Sequence, residues 1–195
     1  MPIVDINNIE IVPHQNFPND MDVENIEIGA SKNYFGKKYY PFCYLTDKFP
    51  VEGLFHFTET AEYDETNCHF LDYVGDFFEL QIDRTFNNII ICNPYGFGFQ
   101  GKEYSKLFLN KAGNLLNDGG SMIVIGNSKN GWSKYESANK WLTKLTLEGE
   151  LNYSMQISQL QILQDTHEFR VNHTFNKIAI SEPTKPNEMF TIQKI

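Results

Sequence analysis

Along this chain, flatly apolar stretches take turns with segments whose apolar residues recur every three or four positions. NIEIGA (25–30), FCYLTD (42–47), CHFLD (68–72), IIIC (89–92) and SMIVIGNS (121–128) are short and apolar, and each predicts a strand. IIIC and the core of SMIVIGNS do not alternate, the pattern expected of strands buried on both faces of a parallel sheet. KEYSKLFLNKAGNLL (102–116) instead spaces Tyr104, Leu107, Phe108, Ala112, Leu115 and Leu116 by threes and fours, which predicts an amphipathic helix. NDGG then ends it. A second helix is predicted over Lys134–Leu145, with Tyr135, Ala138, Trp141, Leu142 and Leu145 on one face. Strand, helix, glycine turn and strand make a βαβ unit with a right-handed crossover.

The last third changes character. YSMQISQLQILQ (153–164) and HTFNKIAIS (173–181) read as strands with no helix between them, an antiparallel pair at one sheet edge. TETAEYDETN and SEPTKPNE are polar and read as surface loops. The expected fold is α/β: a Rossmann-like open, twisted, mostly parallel sheet with helices on both faces and an antiparallel C-terminal edge strand. A chain of 195 residues, 41% hydrophobic, fits one domain over 1–195, its core at about 24–180.

Charge and composition narrow the chemistry. The net charge is −9 and no Lys/Arg run is present, which argues against extended nucleic acid without a partner protein. A small molecule or a protein is the expected substrate. The amino terminus carries no basic-then-apolar leader, and no run of about 18 apolar residues occurs, so no membrane segment and a cytoplasmic location are expected. Cys43, Cys68 and Cys92 form no CxxC pair and read as reduced, buried thiols. The histidines show no metal-ligand spacing, and no metal is expected.

In an open parallel sheet ligands bind beyond the carboxyl ends of the strands, so strand-terminal residues carry the functional signal. In chain order these are Gly29, Asp47, Asp72 and Asn93, each about one βα repeat from the next. A glycine turn permits close backbone approach, and an acid about 20 residues on suits a ribose diol. Asp72, with Tyr73 beside it, is placed to accept from an adenine amine. Such an acid also serves as an ordinary turn or cap residue, and both readings stand. The first loop, GASKNYFG, lacks the three-glycine spacing that seats a pyrophosphate, which argues against a nicotinamide dinucleotide.

The ordered series EIGAS, YLTD, FLD, NPYGF and NDGGSMIVIG resembles the class I S-adenosylmethionine-dependent methyltransferases over roughly residues 24–180. NPYGF is similar to a shortened Asn-Pro-Pro-Tyr signature of members that methylate planar amines. The resemblance implies S-adenosylmethionine as cofactor, with Glu27, Gly29 and Ala30 against its amino-acid part, Asp47 on the ribose, and Asp72 and Tyr73 at the adenine. It implies Asn93, also counted among the cofactor-binding residues, and the Pro94 carbonyl as acceptors for the target amine, and Tyr95 as a ring stacked on its plane. Two acceptors on a conjugated nitrogen turn its lone pair out of conjugation, so orientation supplies the acceleration without a strong base. The implied activity is methyl transfer to an amine or amide nitrogen of a small molecule, protein side chain or exposed nucleotide. Lys32, Asn33 and Tyr34 stand where that family carries glycines. The alternative is therefore an inactive methyltransferase-like module that meets a protein partner through its acidic surface.

Overall fold

The structure, a computed structural model, describes residues 3–4, 24–30, 43–48, 72–92, 98–126, 134–162, 166–171, 174–179 and 187–195. Its strands are β1 (Ile3–Val4), β2 (Asn25–Ile28), β3 (Cys43–Asp47), β4 (Tyr73–Val74), β5 (Gln81–Ile82) and β6 (Phe86–Cys92). Then follow α1 (Lys102–Leu115), β7 (Leu116–Gly126), α2 (Tyr135–Leu147), β8 (Met155–Ile157), β9 (Gln161–Ile162), β10 (Thr166–Val171), β11 (Thr174–Ala179) and β12 (Glu188–Lys194).

The apolar runs assemble as their patterns require. The main sheet has the order β4-β3-β2-β6-β7-β12-β8, with β9 also beside β12. Neighbours from β4 to β7 pair in parallel. β12 runs antiparallel to β7 on one side and to β8 and β9 on the other. The expected α/β sheet with a C-terminal antiparallel strand is present, and that strand lies one position in from the edge. β8 and β9 are successive pieces along β12, beginning at its Lys194 end and finishing at its Glu188 end.

Side-chain alternation divides the sheet into two faces. Ile26, Tyr44, Ile89, Ile91, Val124 and Phe190 face the main hydrophobic cluster, into which α1 sends Phe108, Leu109 and Ala112 and α2 sends Ala138, Leu142 and Leu145. Burying a side chain of this size contributes about 1.5–3 kcal/mol. Asn25, Glu27, Cys43, Asn88 and Cys92 occupy the opposite face, and all are buried. There the Asn88 amide donates to Asn25 Oδ1 at 2.7 Å, joining β6 to β2 within the sheet. No described helix is long and apolar enough to cross a membrane.

Four local expectations change. Leu107, predicted on the buried stripe of α1, is 56% exposed, while Leu109 is fully buried. The helix docks rotated from the face that residue spacing alone selects. Leu116, predicted as the end of the helix, already pairs with Phe86, and residues 117–120 bulge out before the ladder resumes at Ser121 opposite Asn88. Gly119 supplies the left-handed backbone there, φ 78°. β10 and β11 pair with each other in a separate hairpin, rather than the 153–164 segment pairing with 173–181. Finally, β12 begins at Glu188, the last residue of a segment expected to be loop.

Candidate functional site

The parallel register brings three strand ends level. Ile28 pairs with Thr46, Thr46 with Tyr73, and Asp47 with Val74. The residues closing or following these strands therefore share one rim: Gly29 after β2, Asp47 at the end of β3, and Gly75 with Asp76 after β4. Strand order reverses at β2, whose sequence neighbour β3 lies on one side and β6 on the other. Such switch points are where open α/β sheets take ligands. β6 continues two residues past its last pairing with β2, Glu27 with Ile90, and ends at Cys92.

Gly29 is exposed and left-handed, φ 71°, and a Cβ built on it would meet none of the described residues within 4 Å. The next residue, Ala30, is fully buried and donates its N–H to the Thr46 carbonyl at 2.9 Å. The turn is thus anchored to β3 while its glycine stays exposed. Asp47 is half-buried, and its carbonyl accepts the Gly75 N–H at 2.8 Å. That bond ties the exit of β4 to the end of β3.

Asp76 organises the segment after β4. Its Oδ1 accepts the Phe78 N–H at 2.9 Å, and its carbonyl accepts from Glu79 at 2.9 Å and Leu80 at 3.2 Å. The result is a single helical turn with an acidic cap at its start. Asp76 Oδ2 lies 3.2 Å from Lys48 Nζ. That pair is solvent-exposed on the lysine side and contributes at most about 1 kcal/mol.

Asp72 stands directly before β4 and is 3% exposed, while residues 68–71 of the strand expected to end at it lie outside the described residues. Its N–H donates to the Leu45 carbonyl at 2.8 Å, and its Oδ2 accepts the Leu45 N–H at 2.8 Å. Backbone and carboxylate together extend the β4 ladder along the edge of β3. Tyr73 is buried in the main hydrophobic cluster, on the face shared with Tyr44. The first acid after the end of β4 is Asp76, two residues on, which the strand-end reading of the sequence did not include. The signal was Val74-Gly75-Asp76: an apolar residue, a glycine and an acid at the strand end, close to the Ile28-Gly29 pattern.

Glu27 is fully buried in β2 below the rim, and its carbonyl accepts the Thr46 hydroxyl at 2.8 Å. Burial pushes the Cys43 and Cys92 thiols up, and the negative charge of Glu27 adds to both shifts. Both stay protonated at neutral pH, which removes them as nucleophiles. Asn93, Pro94 and Tyr95 lie outside the described residues, as do Cys68 and the first loop beyond Ala30.

No family model matches the chain, and no curated protein matches it. Similar solved structures include the N-methyltransferase NodS from Bradyrhizobium japonicum WM9, at 10% identity over 89% of this chain and 86% of that one, TM-score 0.49. A methyltransferase from Pyrococcus furiosus is 19% identical over 89% of this chain and 77% of that one, TM-score 0.39. A precorrin-6y C5,15-methyltransferase from Geobacter metallireducens GS-15 is 11% identical over 89% and 80%, TM-score 0.43. Scores below 0.5 at these identities assign no role to any residue.

Proposed function

We propose that this protein is an S-adenosylmethionine-dependent methyltransferase acting on an amine or amide nitrogen of a small molecule, a protein side chain or an exposed nucleotide. The observation that carries the reading is the shared rim at the switch point of the sheet, where Gly29 follows the Ile28–Thr46 pair, Asp47 pairs with Val74, and Asp76 stands two residues beyond Val74. Its chemistry fits a nucleoside without phosphates. The left-handed Gly29 turn permits close backbone approach, and the neighbouring β3 and β4 ends offer carboxylates as acceptors for a diol and an amine.

In this reading Glu27, Gly29 and Ala30 hold the amino-acid portion, and Asp47 holds the ribose. Asp76 takes the adenine amine, because its side chain is 31% exposed whereas Asp72 is 3% exposed and out of a ligand's reach. When bound, the cofactor supplies an electrophilic methyl group on a sulfonium. Asn93 and the Pro94 carbonyl accept from the target NH2 and orient its lone pair, with Tyr95 against the planar group. No strong general base is needed, since orientation carries the step.

Calorimetric titration with S-adenosylhomocysteine tests the reading. Asp47→Ala and Asp76→Ala should each weaken binding, whereas Asn93→Ala should retain it and lose methyl transfer. In a melting experiment, ligand at 100 times its Kd should add about 2.7 kcal/mol of stability. No binding at millimolar ligand, or a variant series in the reverse order, overturns the assignment.

A further inference from the structure

One stripe of α1 faces the Asp76 turn. Tyr104, Phe108 and Lys111 follow one another at spacings of four and three, so they share a helix face. Tyr104 packs edge-on against Phe78 with ring centroids 5.4 Å apart, and Phe108 lies 5.9 Å from Phe77. Lys111 goes further. Its Nζ donates to the Phe78 carbonyl at 3.1 Å and the Leu80 carbonyl at 2.6 Å, with the ammonium 5.5 Å from the Phe77 ring centroid. These carbonyls close the helical turn that Asp76 opens, and a cation is favoured at that end. The turn is therefore fixed at both ends: Asp76 caps its N–H groups, and Lys111 reaches across from α1 to its carbonyls.

The arrangement is more than generic packing. Lys111 is only partly exposed, and burial holds its ammonium below the usual lysine range, against an opposing pull from the charge of Asp76. A lysine whose stem merely covered apolar surface would extend its head to water. Here the head is turned inward onto two backbone acceptors of one turn.

We propose that Lys111 is a positioning residue for the nucleoside site, holding the Asp76–Leu80 turn so that the Asp76 carboxylate stays at the rim just beyond the Asp47–Val74 pair. The inference rests on the function proposed above. Lys111 touches no reacting group, and its effect on binding passes through the turn.

The test is calorimetric titration of the full chain with S-adenosylhomocysteine and, separately, with adenosine. Lys111→Met keeps the aliphatic stem and removes both hydrogen bonds. It should raise Kd for both ligands about tenfold, and Lys111→Arg should recover most of the affinity. Leu145→Ala, a core truncation in α2, serves as the control for stability: it should lower the melting temperature and leave both Kd values unchanged. If the unaltered protein binds neither ligand, the functional reading fails. If it binds both and Lys111→Met binds equally well, this inference alone fails. Should Leu145→Ala raise Kd as much as Lys111→Met does, general stability is the cause and positioning is refuted.

Discussion

Replacing Asp72 with alanine separates a structural acid from a binding one. In the folded chain the Leu45 N–H, on a residue 1% exposed, donates to the Asp72 carboxylate at 2.8 Å. Asp72→Ala removes that acceptor without offering water a way in. A buried donor left unsatisfied costs about 1–3 kcal/mol, and a bond to a charged acceptor sits in the upper part of that range. A loss of about 2 kcal/mol in a chain this long lowers the melting temperature by about 4–8 °C. Asp72→Asn retains an acceptor oxygen and should lose less than half as much. Urea denaturation followed by circular dichroism gives the free energies, and calorimetry with S-adenosylhomocysteine reads the site. The expected pattern is a destabilised Asp72→Ala protein whose Kd changes little, beside an Asp76→Ala protein that loses about 1 kcal/mol with its turn cap and whose Kd rises. An Asp72→Ala protein that melts like the parent yet fails to bind would return the adenine role to Asp72 and refute the reasoning.

Other substitutions test neighbouring parts of the account. Gly29→Ala forces a side chain into left-handed backbone, φ 71°, at a cost of about 1–2 kcal/mol; thermal melting should show the loss, and calorimetry a weakened ligand as the cradle fills. Gly113→Ala pits helix propensity, a gain of about 1 kcal/mol, against a Cβ that would run into the Tyr153 ring and the Met155 methyl. Overpacking costs about 1–3 kcal/mol and should win, so denaturant unfolding should show a net loss. Acid stability should depend on Glu150, whose carboxylate lies 2.6 Å from Lys102 and 2.7 Å from Lys106. Hydrogen bonds from Lys102 and then Lys106 bring its pKa from 4.5 down to about 2. A depressed acid contributes stability that is fully present above 4.5 and lost as pH falls toward 2. Glu150→Gln should flatten that part of the stability–pH curve, and denaturation midpoints measured at stepped pH will show whether it does.

Local sequence revealed what local physics decides. The unalternated Ile89–Cys92 run required a strand buried on both faces, and β6 sits in mid-sheet beside β2 and β7. Ala138, Leu142 and Leu145 disclosed the buried face of α2 through their spacing alone. Gly29 was legible because a glycine after an apolar run marks a turn in any fold. What failed depended on partners distant in the chain. β12 mixes Thr191, Gln193 and Lys194 with apolar residues and follows a polar stretch, and only its pairing with β7 gives it a place inside the sheet. The exposed Leu107 and buried Leu109 reflect the angle at which α1 docks, which residue spacing leaves undetermined. The end of the third strand was hard to locate because β4 has two residues, too few to show a period, so Asp76 did not stand out as an acid near a strand end.

The central claim is that the carboxyl ends of β2, β3 and β4 form one nucleoside site, and hydrogen–deuterium exchange with and without S-adenosylhomocysteine addresses it directly. Ligand should slow exchange together in the segments around Gly29, Asp47 and Asp76, with α1 near Lys111 following. Protection confined to the β10–β11 hairpin, or no protection at saturating ligand, would contradict it.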